Sequence, residues 1–399
     1  MSPTNRRLPL LLAAVLVAAG CSHEQDTPAR APDPAPPVVT TPTTAPPDPP
    51  PAPAPEKATA HLLLLGDTFW GRFVEEEARA SGLGAAHPFS RLDELHRDRY
   101  DAWIANLECP VVPGLDVPAA EQDRLLSFNC EPDFLDEAAA WFTAFSLANN
   151  HTDNQGRDGL ERTREVLAEH GIQHFGDADP RQLDHVCNVV AVPVRVALDD
   201  GSRTRGRLPL ALCGFDGVFR VPSEKAVARL EAYAELLPTI AMPHNGLEYT
   251  STPDSIKVAF ARSLVDHGAD LVVGSHPHWI QPAEVYRGRL IAYSLGNFMF
   301  DQQYDAEVTR SAALEVGLAT EDRNLARWLQ LGVLCERRHG DCLDEIRQAD
   351  LPRPALDYSY DVVGTTNAGG PTRAATSAQT RAIKDRLDWA EVDAQLDGR

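Results

Sequence analysis

Residues 61–72 read HLLLLGDTFWGR. The leucine run at 62–65 does not alternate with polar residues and is closed by a glycine, so it reads as a short buried strand. It runs directly into Gly66-Asp67 and leaves a carboxylate beyond the strand's end. Short apolar runs of the same kind recur at 102–105, 142–147, 189–196, 208–213, 239–242, 271–273 and 290–293. Helical patterns lie between several of them. Residues 159–170 carry Leu160, Thr163, Val166 and Leu167 on one face, and 253–267 carry Ile256, Ala259, Phe260 and Leu264 after a Thr-Pro start. Gly171 and Gly268 follow these helices, as C′ positions prefer. Strands alternating with helices predict an α/β domain, in which ligands collect outside the carboxyl ends of the strands.

Around this domain the composition changes. Well over a third of the 32 prolines precede Lys57. Residues 21–58 have almost no large apolar side chain and read as an extended Pro-rich tether. Ahead of it, Arg6 and Arg7, the apolar residues 8–19 and Gly20-Cys21 read as a lipoprotein signal peptide spanning 1–20, with Cys21 as the lipidated residue. Export to the cell envelope and a membrane contact through the lipid follow as expectations, with Ser22 favouring the outer membrane in a Gram-negative cell. The globular domain is expected over 59–350. Residues 351–399 lose strand character and end in a helical pattern at 376–396, so they read as an extension that packs on the domain or hangs loose.

The formal net charge of -21 excludes a nucleic-acid partner, which needs a basic stripe. It also means that an anionic substrate needs a metal or placed arginines to reverse the local field. Cys109, Cys130, Cys187, Cys213, Cys335 and Cys342 form an even set suited to disulfides in an oxidising compartment. Of their connectivities only Cys335–Cys342 is readable, across a tight ERRHGD turn expected to join strands or a loop. No CxxC pair suggests a cysteine zinc site.

Polar residues gather where the apolar runs stop. Asp67, Glu108, Asn150, His151, His244, His276 and His278 supply two carboxylates, an amide and histidines from separate strand ends. Such a mixed set suits one or two divalent ions of the Mn, Fe or Zn type. Singly, Gly66-Asp67 and Asn149-Asn150 read equally well as turns and Glu108 as a surface carboxylate, while His244 alone reads more readily as a loop histidine than as a ligand. GSHPHW at 274–279 is the specific element, because histidines two apart on one loop can serve two ions, or one ion and a substrate.

In order, GDTFWGR, NLECP, ANNHTDNQGRDGLERT, HNGLEY, GSHPHW and YSLGNFMFD resemble the CapA family of poly-γ-glutamate capsule-synthesis proteins, which is similar to the calcineurin-like metallophosphoesterases. The resemblance implies a two-sheet β-sandwich flanked by helices. It implies Asp67 as first-motif ligand, Glu108 as bridging carboxylate, Asn150 and His244 on a second metal, and His276 and His278 as the last motif. His151 would face the substrate as proton donor. Phe69 stands where phosphoesterases usually carry a ligand histidine, which leaves one ion with only Asp67, Glu108 and His278. Arg72 is a candidate clamp for a carboxylate or phosphate and Asn297 a candidate substrate donor, although each reads equally as a surface arginine or a turn asparagine. Two functions fit: a metal-dependent hydrolase of a phosphoester or amide, or a non-catalytic, metal-containing subunit that binds an anionic polymer within a capsule-synthesis complex.

Overall fold

The computed structural model describes residues 52–338 and 342–398. The signal peptide, Cys21 and the tether as far as residue 51 lie outside the described residues. Among the described residues no helix is long and apolar enough to cross a membrane.

The fold is mixed α/β, and among the described residues 14 strands are hydrogen-bonded into one branched sheet flanked by helices. The branch point is β1 (Pro55–Thr68). Its carboxyl half starts a parallel arm of β2 (Ala102–Leu107), β3 (Ala144–Ser146) and β4 (Gln173–Phe175). Its amino end pairs with the antiparallel hairpin of β5 (Cys187–Leu198) and β6 (Arg203–Asp216). Beyond β6 come parallel β7 (Thr239–His244) and β8 (Leu271–Val273), and then β10 (Arg289–Leu295), with the antiparallel β9 (Ile280–Tyr286) at the edge. The short β11 (Asn297–Met299) lies parallel to the end of β1. A third arm runs through β12 (Arg310–Thr320), β13 (Asp357–Thr366) and β14 (Arg373–Ala374).

The leucine run lacks alternation because both faces of β1 are covered. Leu62 and Leu64 enter a core with Val190, Leu210, Val272 and the helix Leu325–Arg338, while Leu63 and Leu65 enter another with Trp103, Phe145, Leu160 and Phe298. Each fully buried leucine contributes about 1.5–3 kcal/mol over exposure, so β1 anchors both layers at once. The parallel relations also orient the molecule. β1, β2, β3, β6, β7, β8 and β10 all point the same way, so their carboxyl ends emerge together.

Both expected helices are present, as Gly156–Glu169 and Ser255–Asp266. Asp254 caps the second, accepting from the Ile256 and Lys257 N–H groups. Three expectations need correction. β1 begins at Pro55, inside the expected tether. The stretch after Leu351 does not lose strand character, since β13 pairs with β12 from Arg310↔Thr366 to Ala319↔Asp357; the single helix expected at 376–396 is two, Ser377–Arg386 and Trp389–Asp397, broken at Asp388 with φ 54°. Cys335 and Cys342 are bonded, but they join the helices Leu325–Arg338 and Leu343–Gln348, not strands. The other cysteines pair as Cys109–Cys130 and Cys187–Cys213.

Candidate metal centre

Close packing of strand ends sets the site. A Cβ at Gly66 would stand 1.9 Å from the Gly296 carbonyl oxygen, and one at Gly274 would stand 2.2 Å from that of Tyr293. Glycine therefore precedes Asp67 and Ser275-His276 because two backbones nearly touch there, not because the chain turns. Register then aligns Asp67 with Asn106 on one side and Asn297 on the other.

Asp67, Glu108 and His278 present ligand atoms within 4.8 Å of one another, all buried, a geometry consistent with one divalent ion. Asp67 Oδ1 accepts from Asn106 Nδ2 (2.9 Å) and Oδ2 from the His276 N–H (3.2 Å). Both carboxylate oxygens of Glu108 are buried without a hydrogen-bond partner. Burial, and then the charge of Asp67, drives the Glu108 carboxyl well above the usual carboxylate range, and burial raises Asp67 as well. Two desolvated carboxylates, one of them with no donors, fit a cation.

The remaining candidates stand beside this trio. His244 Nε2 is 3.0 Å from Asn150 Oδ1, 3.2 Å from His276 Nδ1 and 3.8 Å from Glu108 Oε1. Burial holds His244 and His276 well below the ordinary histidine range, so both are neutral and have lone pairs to offer. His276 and His278 have φ of 92° and 57°, a left-handed backbone that non-glycine residues seldom adopt. Such strain clusters where geometry serves function.

Hydrogen bonds set the histidine tautomers. Asn297 Nδ2 donates to the Val308 carbonyl (3.2 Å) and to Gln302 Oε1 (3.0 Å), which turns Oδ1 toward His278 Nδ1 at 2.8 Å. His278 therefore carries its proton on Nδ1 and keeps the Nε2 lone pair free, 3.9 Å from Glu108 Oε1. At His244 the facing donor is Asn106 Nδ2, 3.2 Å from Nδ1, because Asn106 Oδ1 already accepts from Asn149. That leaves the His244 proton on Nε2, directed at Asn150. A second ion at Asn150, His244 and His276 would require His244 to shift that proton to Nδ1, where Ser275 Oγ lies at 2.8 Å.

Other candidates have different surroundings from those expected. Arg72 is buried with a φ of 44°; its two Nη atoms are bonded to Asp301 (2.6 Å) and Asp123 (3.2 Å), while its buried Nε has no partner. Asn297 is fully buried, with its amide oxygen against His278 Nδ1. Phe69, where the resemblance implied a ligand histidine, packs on Phe128 and Phe300. His151 stacks on Phe128 at 4.1 Å with Nδ1 3.0 Å from Asn154 Oδ1, and burial lowers its pKa to about 4.

Sequence reading gave no role to Asn106, Ser275 or Lys257. The first two lie inside quoted motifs, and their types signal hydrogen bonding. Lys257 had no such signal, since it sits on an amphipathic helix where lysine usually faces water. Its buried Nζ instead donates to the Asn245 and Ser275 carbonyls (2.6 and 3.1 Å) and to Asn245 Oδ1 (3.2 Å), tying together the loops that carry His244 and His276.

Fold and site together define a mixed α/β protein with a metal-competent cluster at converging strand ends. Residues 61–302, more than half of the 399-residue chain, match the family described as Bacterial capsule synthesis protein PGA_cap, and the chain belongs to that family. It is 29% identical over 259 residues to the PGA biosynthesis protein CapA of Bacillus subtilis (strain 168), covering 63% of this chain and 65% of that one. It is 29% identical over 270 residues to the capsule biosynthesis protein CapA of Bacillus anthracis, covering 65% and 63%. A match to a probable polyglutamine synthesis accessory protein of Mycobacterium tuberculosis is 30% identical over 171 residues, covering 40% and 45%. The chain thus spans less than two thirds of the length of these relatives.

Proposed function

We propose that the protein is an envelope-anchored, metal-dependent hydrolase of the calcineurin-like phosphoesterase kind that acts on an anionic capsule polymer or a related phosphoester. The buried, donor-less carboxylate of Glu108 facing Asp67 and His278 carries this reading, since a cation there offsets its burial and the charge of Asp67. Asp67, Glu108 and His278 would hold the first ion; Asn150, His244 and His276 would hold a second, more weakly, because of the His244 proton. A bound ion supplies Lewis acidity to a phosphoryl or acyl oxygen. The chain's own residues orient that ion: Asn297 fixes His278, and the His276 N–H fixes Asp67. His151 is neutral at neutral pH, so it donates a proton only once an anionic ligand beside it raises its proton affinity. Cys21 would anchor the domain in the envelope, where an anionic polymer passes.

A second reading, a non-catalytic polymer-binding subunit of a synthesis complex, is favoured by Phe69 in place of a ligand. Metal titration and a hydrolysis screen on γ-glutamyl polymers and phosphoesters separate the two. Glu108→Ala should abolish binding of the tighter ion. His151→Ala should keep metal while turnover falls by about two to four orders of magnitude. Metal binding without any turnover would favour the subunit, and failure to bind Mn, Fe or Zn would sink both.

The pH dependence follows from the raised carboxyls. A folded, metal-free form with Asp67 and Glu108 shifted up holds protons that the unfolded chain has lost. Its stability is therefore greatest at low pH and falls as pH rises through the folded values. A cation reverses that penalty, so the metal-induced gain in melting temperature should be larger at about pH 8 than at about pH 5.5. A gain that shrinks with rising pH would contradict the assignment.

A further inference from the structure

The geometry points to Tyr249 as a specificity-determining residue, which with Tyr304 forms an aromatic wall beside His278 for the uncharged stem of an organic anion. This inference rests on the metal-centre reading above. The centre would then prefer a carboxylate or phosphate carried on a carbon chain to free inorganic phosphate.

Tyr249 lies in the HNGLEY motif, most of which the ligand set leaves unused. Its φ is 57°, a genuine outlier for a bulky side chain, and such strain persists only where surroundings over-determine it. Three contacts do so. The Tyr249 N–H donates to the Pro277 carbonyl (2.9 Å), between the two histidines of GSHPHW. Its hydroxyl accepts from Gln302 Nε2 (3.0 Å), whose other amide atom accepts from Asn297, the residue that orients His278. Its ring stacks on the His278 imidazole at 5.7 Å with 25° between planes.

The exposures give the wall its direction. His278 is 3% exposed, whereas Tyr249 is 37% exposed, so a half-open ring stands between a buried ligand candidate and solvent. Tyr304 continues the surface, edge-on to Tyr249 at 5.9 Å and 67% exposed, and Leu247 on the same loop is 61% exposed. Exposed aromatics flanking a charged centre favour a ligand with an apolar body and a polar end. Inorganic phosphate has no such body and gains nothing from the wall.

The test uses metal-loaded full-length protein and compares binding of an oligomer of γ-linked glutamate, an alkyl phosphate and inorganic phosphate. Tyr249→Ala should weaken the oligomer, the alkyl phosphate or both by about tenfold, and leave inorganic phosphate and metal affinity within about twofold of wild type. Tyr249→Phe, which keeps the ring, should restore most of the organic-ligand affinity. Tyr249→Gly relieves the left-handed strain, so it guards against misfolding as the cause and should show the same loss of selectivity as alanine. An unchanged ratio of organic to inorganic affinity in Tyr249→Gly would overturn the inference. So would loss of metal in that variant, which would make Tyr249 a support of His278 only. Failure of the wild type to bind metal would instead overturn the metal-centre reading, and it is read from the metal titration alone.

Discussion

Asn297 donates to the Val308 carbonyl and to Gln302 Oε1, and this pair of bonds decides the orientation of its amide and hence the tautomer of His278. Asn297→Ala should leave the His278 Nδ1–H buried without an acceptor, at a cost of about 1–3 kcal/mol. It should also lower metal affinity by about 10- to 100-fold, the usual effect of removing a partner that orients a ligand histidine. Isothermal titration with Mn or Zn, alongside thermal melts, checks both; unchanged affinity would mean that His278 is held by packing against Tyr249 and Phe300. The sequence made the ligand types legible, because carboxylates and histidines at the ends of apolar runs are few. It did not make their supports legible. Asn297 reads as a turn asparagine until β11 is seen beside β1, and Lys257 reads as a solvated helix residue until its carbonyl partners on two distant loops are known. Such roles depend on which strand ends become neighbours, which spacing along the chain does not encode.

Among the elements, the segment after β2 has the most direct hold on the centre. Cys109 follows Glu108 immediately, and its bond to Cys130 closes a loop with a sequence separation of 21 residues. The Cys130 N–H donates to the Pro110 carbonyl (2.8 Å) and the Trp70 N–H to Cys130 Sγ (3.4 Å), so the bridge also ties in the segment after Asp67. Replacing both cysteines with serine should cost about 2–4 kcal/mol and weaken metal binding, because Glu108 loses its neighbour's anchor. The corresponding change at Cys335 and Cys342, which join helices, should lower the melting temperature with little change in metal affinity. Equal effects on metal from both pairs would show that the first bridge acts only through global stability. Strands buried on both faces, such as β1, were readable from their unbroken apolar runs. β13 was not, because its sequence DYSYDVVGTT mixes polar and apolar residues, as suits a strand with a half-exposed face near a sheet edge.

For the whole molecule the decisive question is whether the C-terminal segment belongs to the domain. β13 covers β12 along its length, and the Ala283 N–H of β9, at the opposite edge of the sheet, donates to the Leu387 carbonyl (2.9 Å). The segment therefore covers the β12 edge and adds a backbone bond at the β9 edge, where unpaired groups would otherwise stand. Ile383, Leu387, Trp389 and Val392 are all buried in the core that also holds Leu62 and Leu64. At about 1.5–3 kcal/mol each, losing these side chains would remove about 6–12 kcal/mol, comparable to the whole net stability of about 5–15 kcal/mol of an ordinary domain. Ending the chain at Asp350 should therefore give a protein that aggregates or fails to melt cooperatively, measured by size-exclusion chromatography and circular dichroism. A truncated chain that stayed monodisperse with an unchanged melting temperature would restore the reading of 351–399 as a mere extension. The metal offers an internal control. A truncated chain that still bound Mn or Zn with native affinity would show that the strand ends around Asp67 and Glu108 form without β13, β14 and the two C-terminal helices, although β13 covers β12, the direct partner of β1.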